Sequence, residues 1–205
     1  MYQLEVKAAL VAHQFPTRDG WSVTVDVDTM ERAIGGTHPA DKRARADAAY
    51  SRLENLGVTL GRKHPLYRRA DIVAEHAQHG TVVVEVEGSS RRQREQAMYA
   101  AIGQLVVSMR HDSASVSYAI AVPEELEWRR QIQKLPLLVL ARLKVRVFFV
   151  DTESVTRFPD ETDVTERLLL GDETGDVLPD GADAELDDYL RQFVESSQMP
   201  SEPTA

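Results

Sequence analysis

The sequence of 205 residues contains no cysteine, which excludes disulfide frameworks, thiolate metal sites and cysteine nucleophiles. It also lacks a long hydrophobic run. The longest apolar segment, residues 135–141, contains Pro136 and is far shorter than the about 18 residues that a membrane span needs. No charged start followed by an apolar stretch has the form of a signal peptide. These absences predict a soluble, cytoplasmic protein without a membrane partner.

Several motifs of common enzyme classes are also missing. No glycine-rich loop has the pattern that cradles phosphates, and no serine stands in a nucleophile elbow. Asp26 and Asp28 lack the ligand spacing of an EF-hand calcium loop. The six histidines are scattered, and His76 and His79 have no third ligand adjacent in sequence. Calcium-loop and histidine metal sites are therefore weak candidates.

Charge is divided unevenly along the chain. Residues 151–205 carry 16 Asp and Glu against three Arg, whereas residues 1–150 carry 17 Asp and Glu against 21 Lys and Arg. A mildly basic body is compatible with a polyanionic partner such as DNA. The length fits one domain, here residues 1–150, plus an appendage. The acidic composition of residues 151–205 is typical of a partly disordered C-terminal extension.

One part of this extension has a helical pattern. A short amphipathic helix is predicted over residues 184–195. It can dock on the body or on a protein partner, or it can remain a solvated tail, and the sequence leaves both interpretations open. Its apolar residues at helical spacing are Leu186, Leu190, Phe193 and Val194.

Hydrophobic periodicity predicts a mixture of helices and strands in the first 150 residues. The predicted order is helix, strand, helix, strand, strand, helix, strand, helix, strand. The two consecutive strands, residues 70–75 and 81–87, form a hairpin through a turn at residues 78–80. A mixture of this kind predicts an α/β sandwich of three layers around one central sheet. The other elements are predicted at residues 2–15, 21–28, 40–56, 91–109, 116–122, 123–135 and 144–150.

Three carboxylates lie on the predicted hairpin. Glu85 and Glu87 share one face of the second strand, because side chains alternate with period two. Strand pairing lets Asp71 approach Glu85 although 13 residues separate them. Burying carboxylates beside Val82–Val84 is costly unless a cation or hydrogen bonds compensate their charge, so the pattern indicates a divalent metal site. From spacing alone, the alternative is the wet face of a half-buried edge strand.

With this order of elements, the chain resembles the PD-(D/E)XK nuclease superfamily over roughly residues 1–150. This superfamily includes restriction endonucleases and archaeal-type Holliday junction resolvases. The resemblance implies a three-layer α/β/α, restriction endonuclease-like core with a mixed central sheet. It matches Asp71 to the first acidic metal ligand and Glu85 to the second. Glu87 stands where the family usually has a lysine that positions the attacking water. A few restriction endonucleases carry Glu there, and the resemblance implies that Glu87 either binds a second metal or accepts the proton of the water.

The resemblance also implies a cofactor and further site residues. The cofactor is Mg²⁺, or Mn²⁺, which prefers carboxylate, carbonyl and water oxygens. The Val86 carbonyl would be a further oxygen ligand. Glu5 would be an additional metal ligand, because it matches the extra acid that some members carry on the first helix. Gln104 would match the polar residue that some members carry on the helix behind the site, and it is expected to contact the nucleic acid.

The expected activity is metal-dependent hydrolysis of phosphodiester bonds in DNA by an endonuclease or exonuclease, with Asp71, Glu85 and Glu87 as the catalytic residues. Basic side chains flank the hairpin, and we expect them to neutralise backbone phosphates and to make binding salt-dependent. Their alternative interpretation is an ordinary solvated surface. They are Arg62, Lys63, His64, Arg68 and Arg69 before the hairpin, and Arg91, Arg92 and Arg94 after it.

Two other functions compete with catalysis. Because Glu87 replaces the family lysine, the chain is alternatively an inactive nuclease-like domain that serves as a nucleic-acid- or protein-binding module. A generic α/β domain with surface carboxylates is a third interpretation. Enzymes that cut both strands often act as symmetric dimers, so a homodimer is also open.

Overall fold

The computed structural model describes residues 1–34, 37–89, 94–109, 115–136, 139–140, 143 and 145–158. The helices in these ranges are α1 (Gln3–Gln14), α2 (Lys42–Asn55), α3 (Arg94–Ser108) and α4 (Leu126–Ile132), with a short 3₁₀ turn at Thr17–Asp19. The strands are β1 (Ser22–Val25), β2 (Thr59–Leu60), β3 (Ile72–His76), β4 (Gly80–Val86), β5 (Val116–Pro123), β6 (Val145–Val150) and β7 (Val155–Phe158).

The strands form one mixed sheet of seven strands in the order β2-β1-β3-β4-β5-β6-β7. The pairs β1–β2, β4–β5 and β5–β6 are parallel, whereas β1–β3, β3–β4 and β6–β7 are antiparallel. The parallel pairs β4–β5 and β5–β6 are joined by helical crossovers, as parallel neighbours require. The predicted hairpin is confirmed as β3 and β4, and it lies inside the sheet between β1 and β5.

Two hydrophobic cores cover the two faces of the sheet. Val82, Val84 and Val86 pack on the side of α1 and α2, while Val83 and Ile120 pack on the side of α3 and α4. Strand β4 is therefore buried on both faces, which explains its continuous run of valines. Helices on both sides of a mixed sheet confirm the predicted three-layer α/β/α core, an α/β fold consistent with a restriction endonuclease-like arrangement.

The first helix begins close to the end of β4. Helix α1 has the predicted apolar stripe, and it ends before Pro16, which cannot continue a helix. A Cβ atom at Gly88 would lie 2.6 Å from the backbone nitrogen of Gln3, a distance that real side chains do not adopt. Glycine at position 88 thus allows the chain leaving β4 to pass against the first turn of α1.

The sheet extends beyond the predicted domain boundary at residue 150. Strand β7 pairs antiparallel with β6, with Val147 opposite Phe158. The predicted acidic extension therefore contributes a strand before it leaves the described part of the chain, and the predicted helix at residues 184–195 lies outside that part. Among the described residues, no helix combines the length and apolar character that a membrane span requires.

Candidate active site

Asp71 and Glu85 face each other at one end of the hairpin. Ile72 pairs with Val84, so the next pair outward in the antiparallel register is Asp71 with Glu85. The backbone N–H of Val86 donates to Asp71 Oδ2 over 2.8 Å, and the Asp71 carbonyl accepts the N–H of Asp26 over 2.8 Å. Strand pairing on both sides of β3 therefore fixes the Asp71 carboxylate beside Glu85.

Glu85 is a buried carboxyl group with an incomplete set of partners. Its side chain is 2% exposed, and its Oε1 atom has no hydrogen-bond partner among the described residues. Burial raises the pKa of Glu85 to about 9, with further contributions from the charge of Asp71 and a hydrogen bond to it, against the opposing charge of Lys7. A buried oxygen without a partner, next to another carboxylate, is a position where a cation would be stabilised.

Glu87 lies one step further along the same face and borders a groove. Burial and the charge of Asp71 raise its pKa to about 7, and the charge of Lys7 opposes this rise. Its backbone N–H donates to the carbonyl of Ala121 over 2.9 Å, which fixes the start of the loop after β4. The groove has a volume of about 270 Å³ and is lined by Tyr2, Gln3, Asp28, Met30, Glu31, Lys42, Glu87, Gly88 and Ser89.

A lysine from α1 completes the cluster. The side chain of Lys7 is 0% exposed, and its Nζ atom lies 2.7 Å from Asp71 Oδ1 and 2.7 Å from Glu31 Oε1. Burial raises the pKa of Glu31 to about 7, against the opposing charge of Lys7. Neither Lys7 nor Glu31 was predicted from the sequence as a site residue. The available signal was that Lys7 occupies the apolar stripe of α1, between Leu4 and Val11.

The cluster carries more acidic than basic groups. Asp71, Glu85, Glu87 and Glu31 surround one ammonium group, Lys7, and the raised pKa values of the three glutamates follow from burial next to these like charges. A carboxylate set with an unpartnered buried oxygen suits a hard divalent cation such as Mg²⁺. No cluster of three or more His, Asp or Glu forms a ready-made metal cage within the described ranges. Mg²⁺ sites of one or two carboxylates, completed by water and phosphate, need no such cage.

Glu5, predicted as an additional metal ligand, is engaged elsewhere. Its carboxylate accepts hydrogen bonds from Arg45 over 2.8 and 2.6 Å, and from the backbone N–H of Tyr2 over 2.7 Å. Glutamate in the first turn of a helix commonly accepts such a bond from the residue that precedes the helix. The acidic group that joins Asp71 from outside the hairpin is Glu31, through Lys7, rather than Glu5.

Four of the predicted basic residues line an exposed groove before β3. Lys63 lies 3.5 Å from Asp26 Oδ2, and the Asp26 carbonyl accepts a hydrogen bond from Lys7, so the groove adjoins the carboxylate cluster. All four basic side chains are exposed. We name this surface the basic groove. Its lining residues are Pro65 and the four basic residues Arg62, Lys63, Arg68 and Arg69.

The other predicted nucleic-acid contacts are arranged differently. His64 is buried, and its Nδ1 atom accepts the backbone N–H groups of Leu66 and Tyr67, so it stabilises a turn. Arg94 pairs with Glu125 over 2.8 Å. Gln104 lies on the exposed face of α3, opposite the residues that pack on the sheet. The structure does not bring His64 or Gln104 to the carboxylates. Arg91 and Arg92 lie outside the described residues.

Comparisons with known proteins identify distant similarity of structure. No protein-family model and no curated protein sequence matches the chain. An XisH family protein from Nostoc punctiforme has 20% identity and a TM-score of 0.37, and the match covers 76% of this chain and 95% of that one. An FdxN element excision controlling factor protein from Anabaena variabilis has 19% identity and a TM-score of 0.36, with coverage of 74% and 92%. At these identities and TM-scores the similarity says nothing about function, so a function has to be inferred from the side chains of this protein.

Proposed function

We propose that the protein is a divalent-metal-dependent nuclease that hydrolyses phosphodiester bonds of DNA, in the manner implied by its resemblance to the PD-(D/E)XK superfamily. The observation that carries the proposal is the pair Asp71 and Glu85, which lie opposite each other, with a buried Glu85 oxygen that has no hydrogen-bond partner in the described part of the chain. A protein that needed only stability would be expected to pair or solvate such an oxygen.

Asp71, Glu85 and the Val86 carbonyl are the residues that would hold the metal. Strand pairing with β3 and β5 fixes the backbone at all three positions at the end of the hairpin. When bound, Mg²⁺ or Mn²⁺ supplies activation of a water molecule and neutralises charge on the scissile phosphate.

Glu87 is the proposed general base. Its pKa of about 7 means that it is partly ionised at neutral pH, where a base that can both accept and release a proton is most effective. It borders the groove of about 270 Å³, which gives a phosphate and an attacking water access to it. Glu87 would therefore accept a proton at the position where the lysine of the PD-(D/E)XK family contributes a positive charge.

The basic groove is the proposed DNA-binding surface. Its residues precede Asp71 directly in the sequence, with Arg68 and Arg69 only three and two positions away. Exposed arginine and lysine side chains next to a phosphodiester-cleaving site would bind flanking phosphates and make the affinity fall with salt. His64 is excluded from this surface because it is buried.

The test is a cleavage assay with linear, circular, single-stranded and branched DNA, in the presence of Mg²⁺ or Mn²⁺. The variants are Asp71→Ala and Glu85→Ala, and the matched control is Glu54→Ala, which removes an exposed carboxylate from α2. Cleavage by the wild type and the control, lost in both site variants and in EDTA, is the expected result. Failure of the wild type to cut any of these substrates would contradict the proposal.

The alternative, a binding module without catalysis, is favoured by one observation. Glu87 stands at the position of the family lysine, so the hairpin lacks a positive charge there. Binding of these DNA molecules with unchanged affinity in Asp71→Ala, and without cleavage at any metal concentration, would support the module.

A further inference from the structure

Lys7 is enclosed by oxygen atoms in the way that a bound cation is. Its Nζ atom lies 2.7 Å from the Asp26 carbonyl, 2.7 and 2.9 Å from the two Glu31 oxygens, and 2.7 Å from Asp71 Oδ1. The side chain is fully buried. Carbonyl and carboxylate oxygens are also the ligands that hard divalent cations take in proteins.

The ammonium group shares Asp71 with the proposed metal position. Lys7 binds Oδ1 of Asp71 from the side of α1, whereas Glu85 approaches Asp71 from the neighbouring strand. In sites with two metals, the ions lie about 3.5–4 Å apart and share carboxylate ligands in this way. Glu31 binds the same ammonium through both of its carboxylate oxygens and then takes the place of an outer ligand.

We propose that the ammonium of Lys7 occupies a second cation position, so that the site takes one divalent metal per chain. Removal of the ammonium would open a second divalent site made of Asp71, Glu31 and the Asp26 carbonyl. This inference rests on the proposed metal site at Asp71 and Glu85.

The charge state of Lys7 agrees with this role. Burial lowers its pKa, but the charges of Asp71 and Glu31 outweigh burial and hold it above its ordinary value. Lys7 is therefore a permanent positive charge at neutral pH. Because it is fully buried, Lys7 acts through Asp71 as a positioning residue and does not itself contact DNA.

The test counts bound metal in the full chain without DNA. We would titrate Mn²⁺ at pH 8, and measure free Mn²⁺ by electron paramagnetic resonance and heat by calorimetry. Wild type is expected to bind one ion and Lys7→Met two. The double variant Lys7→Met with Glu31→Gln should return to one, because the outer ligand is lost. Lys134→Met, which removes an exposed lysine after α4, is the matched control and should bind one.

Each outcome separates this inference from the nuclease proposal. Two ions in wild type, or one ion in folded Lys7→Met, would overturn the role of Lys7 and leave the metal site at Asp71 and Glu85 standing. If the wild type bound no ion, the proposed metal site at Asp71 and Glu85 would itself be contradicted, and the nuclease proposal with it. Circular dichroism monitors folding, and Mn²⁺ should raise the melting temperature more in Lys7→Met than in wild type. A Lys7→Met chain that stays unfolded in saturating Mn²⁺ would also contradict the inference.

Discussion

The two ends of the hairpin β3–β4 differ in how completely their polar side chains are hydrogen-bonded. At the turn end, His76 Nε2 lies 3.1 Å from the Asp19 carbonyl, and its Nδ1 atom accepts the N–H groups of Gln78 and His79. The rings of Trp21 and His79 stack with a centroid distance of 5.9 Å. At the other end, Glu85 is more deeply buried than His76 and His79, but one of its oxygens has no hydrogen-bond partner within the described ranges.

The difference favours the carboxylate end of the hairpin as the candidate functional site. The two histidines were weak candidates for a metal site, and their contacts explain them as the closure of a turn. At the other end, Lys7 pairs with Asp71, but a buried oxygen of Glu85 has no hydrogen-bond partner among the described residues. Uncompensated burial costs stability, so its retention is typical of a site that binds something.

Loss of Glu85 should have the largest effect. Glu85→Ala removes a proposed metal ligand, and we expect the rate of DNA cleavage to fall by at least about 100-fold. The comparable change at the turn end, His79→Ala, should leave the rate within about twofold. Steady-state rates of both variants at saturating Mg²⁺ provide the measurement. Equal losses of cleavage rate in Glu85→Ala and His79→Ala would contradict a functional difference between the two ends of the hairpin.

Stability without metal should decrease as the pH rises. The raised pKa of Glu85, about 9, means that the folded protein retains a proton that the unfolded chain has lost above about pH 4.5. The free energy of unfolding therefore falls between about pH 5 and 9. Glu85→Gln cannot ionise and should be more stable than wild type at pH 8, by on the order of 1–3 kcal/mol.

Urea unfolding in EDTA at pH 5, 7 and 9 measures this effect. Glu54→Gln, on the exposed surface of α2, is the control and should follow the wild-type curve. If the free energy of unfolding of the wild type increased as the pH rose, the ionisation of buried Glu85 could not be what determines the pH dependence of stability.

Metal should stabilise the protein through the carboxylate end alone. At an Mg²⁺ concentration about 100 times the dissociation constant, binding adds roughly 2.7 kcal/mol to the free energy of unfolding. Asp71→Asn should lose this gain, whereas His76→Ala should keep it. Urea unfolding of the three proteins with and without Mg²⁺ decides between these outcomes, and a gain that survives in Asp71→Asn would place the metal elsewhere.

The basic groove should matter less than the carboxylates, and its effect should depend on salt. Arg62→Ala with Arg68→Ala removes two exposed cations, so the slope of log affinity against log salt should become shallower by about two. Fluorescence anisotropy with labelled DNA at several salt concentrations measures the slope. Arg52→Ala, on the surface of α2, should leave it unchanged. An unchanged slope in the double variant would place DNA on another surface.

The smallest effect is expected for stability at the turn end. His79→Ala removes stacking against Trp21 and His76, which should cost roughly 0.5–1 kcal/mol of unfolding free energy. The cost should be the same with and without Mg²⁺ in thermal unfolding. A metal-dependent cost would mean that the two ends are coupled.

Strand alternation was sufficient to predict the pair of carboxyl groups at the centre of the candidate site. Period two and a short turn placed Asp71 opposite Glu85, and the register confirms this pairing. The position of Lys7 beside Asp71 was not predicted, because lysine on a helix is usually solvated and its partners Glu31 and Asp71 are distant in sequence. Glu5 was an acidic residue on the expected helix, but its position in the first turn suits a cap.

Two strands were missed for reasons of length and context. Strand β2 has two residues, too few to show a period. Strand β7 has four residues inside an acidic segment, and pairing with β6 rather than its own pattern gives it a place in the sheet. Tertiary contacts of this kind have no local signal in the sequence.

Through the close passage at Gly88, a residue without a side chain helps to fix the geometry of the proposed site. Any larger residue there would push the start of α1 away from the loop after β4, and Lys7 would move with its helix. A displacement of about 1 Å is enough to cost an enzyme about 100-fold in rate. A screen that looks only for chemically reactive groups would therefore overlook position 88, although its substitution should disable the site while every acid and base remains in the chain.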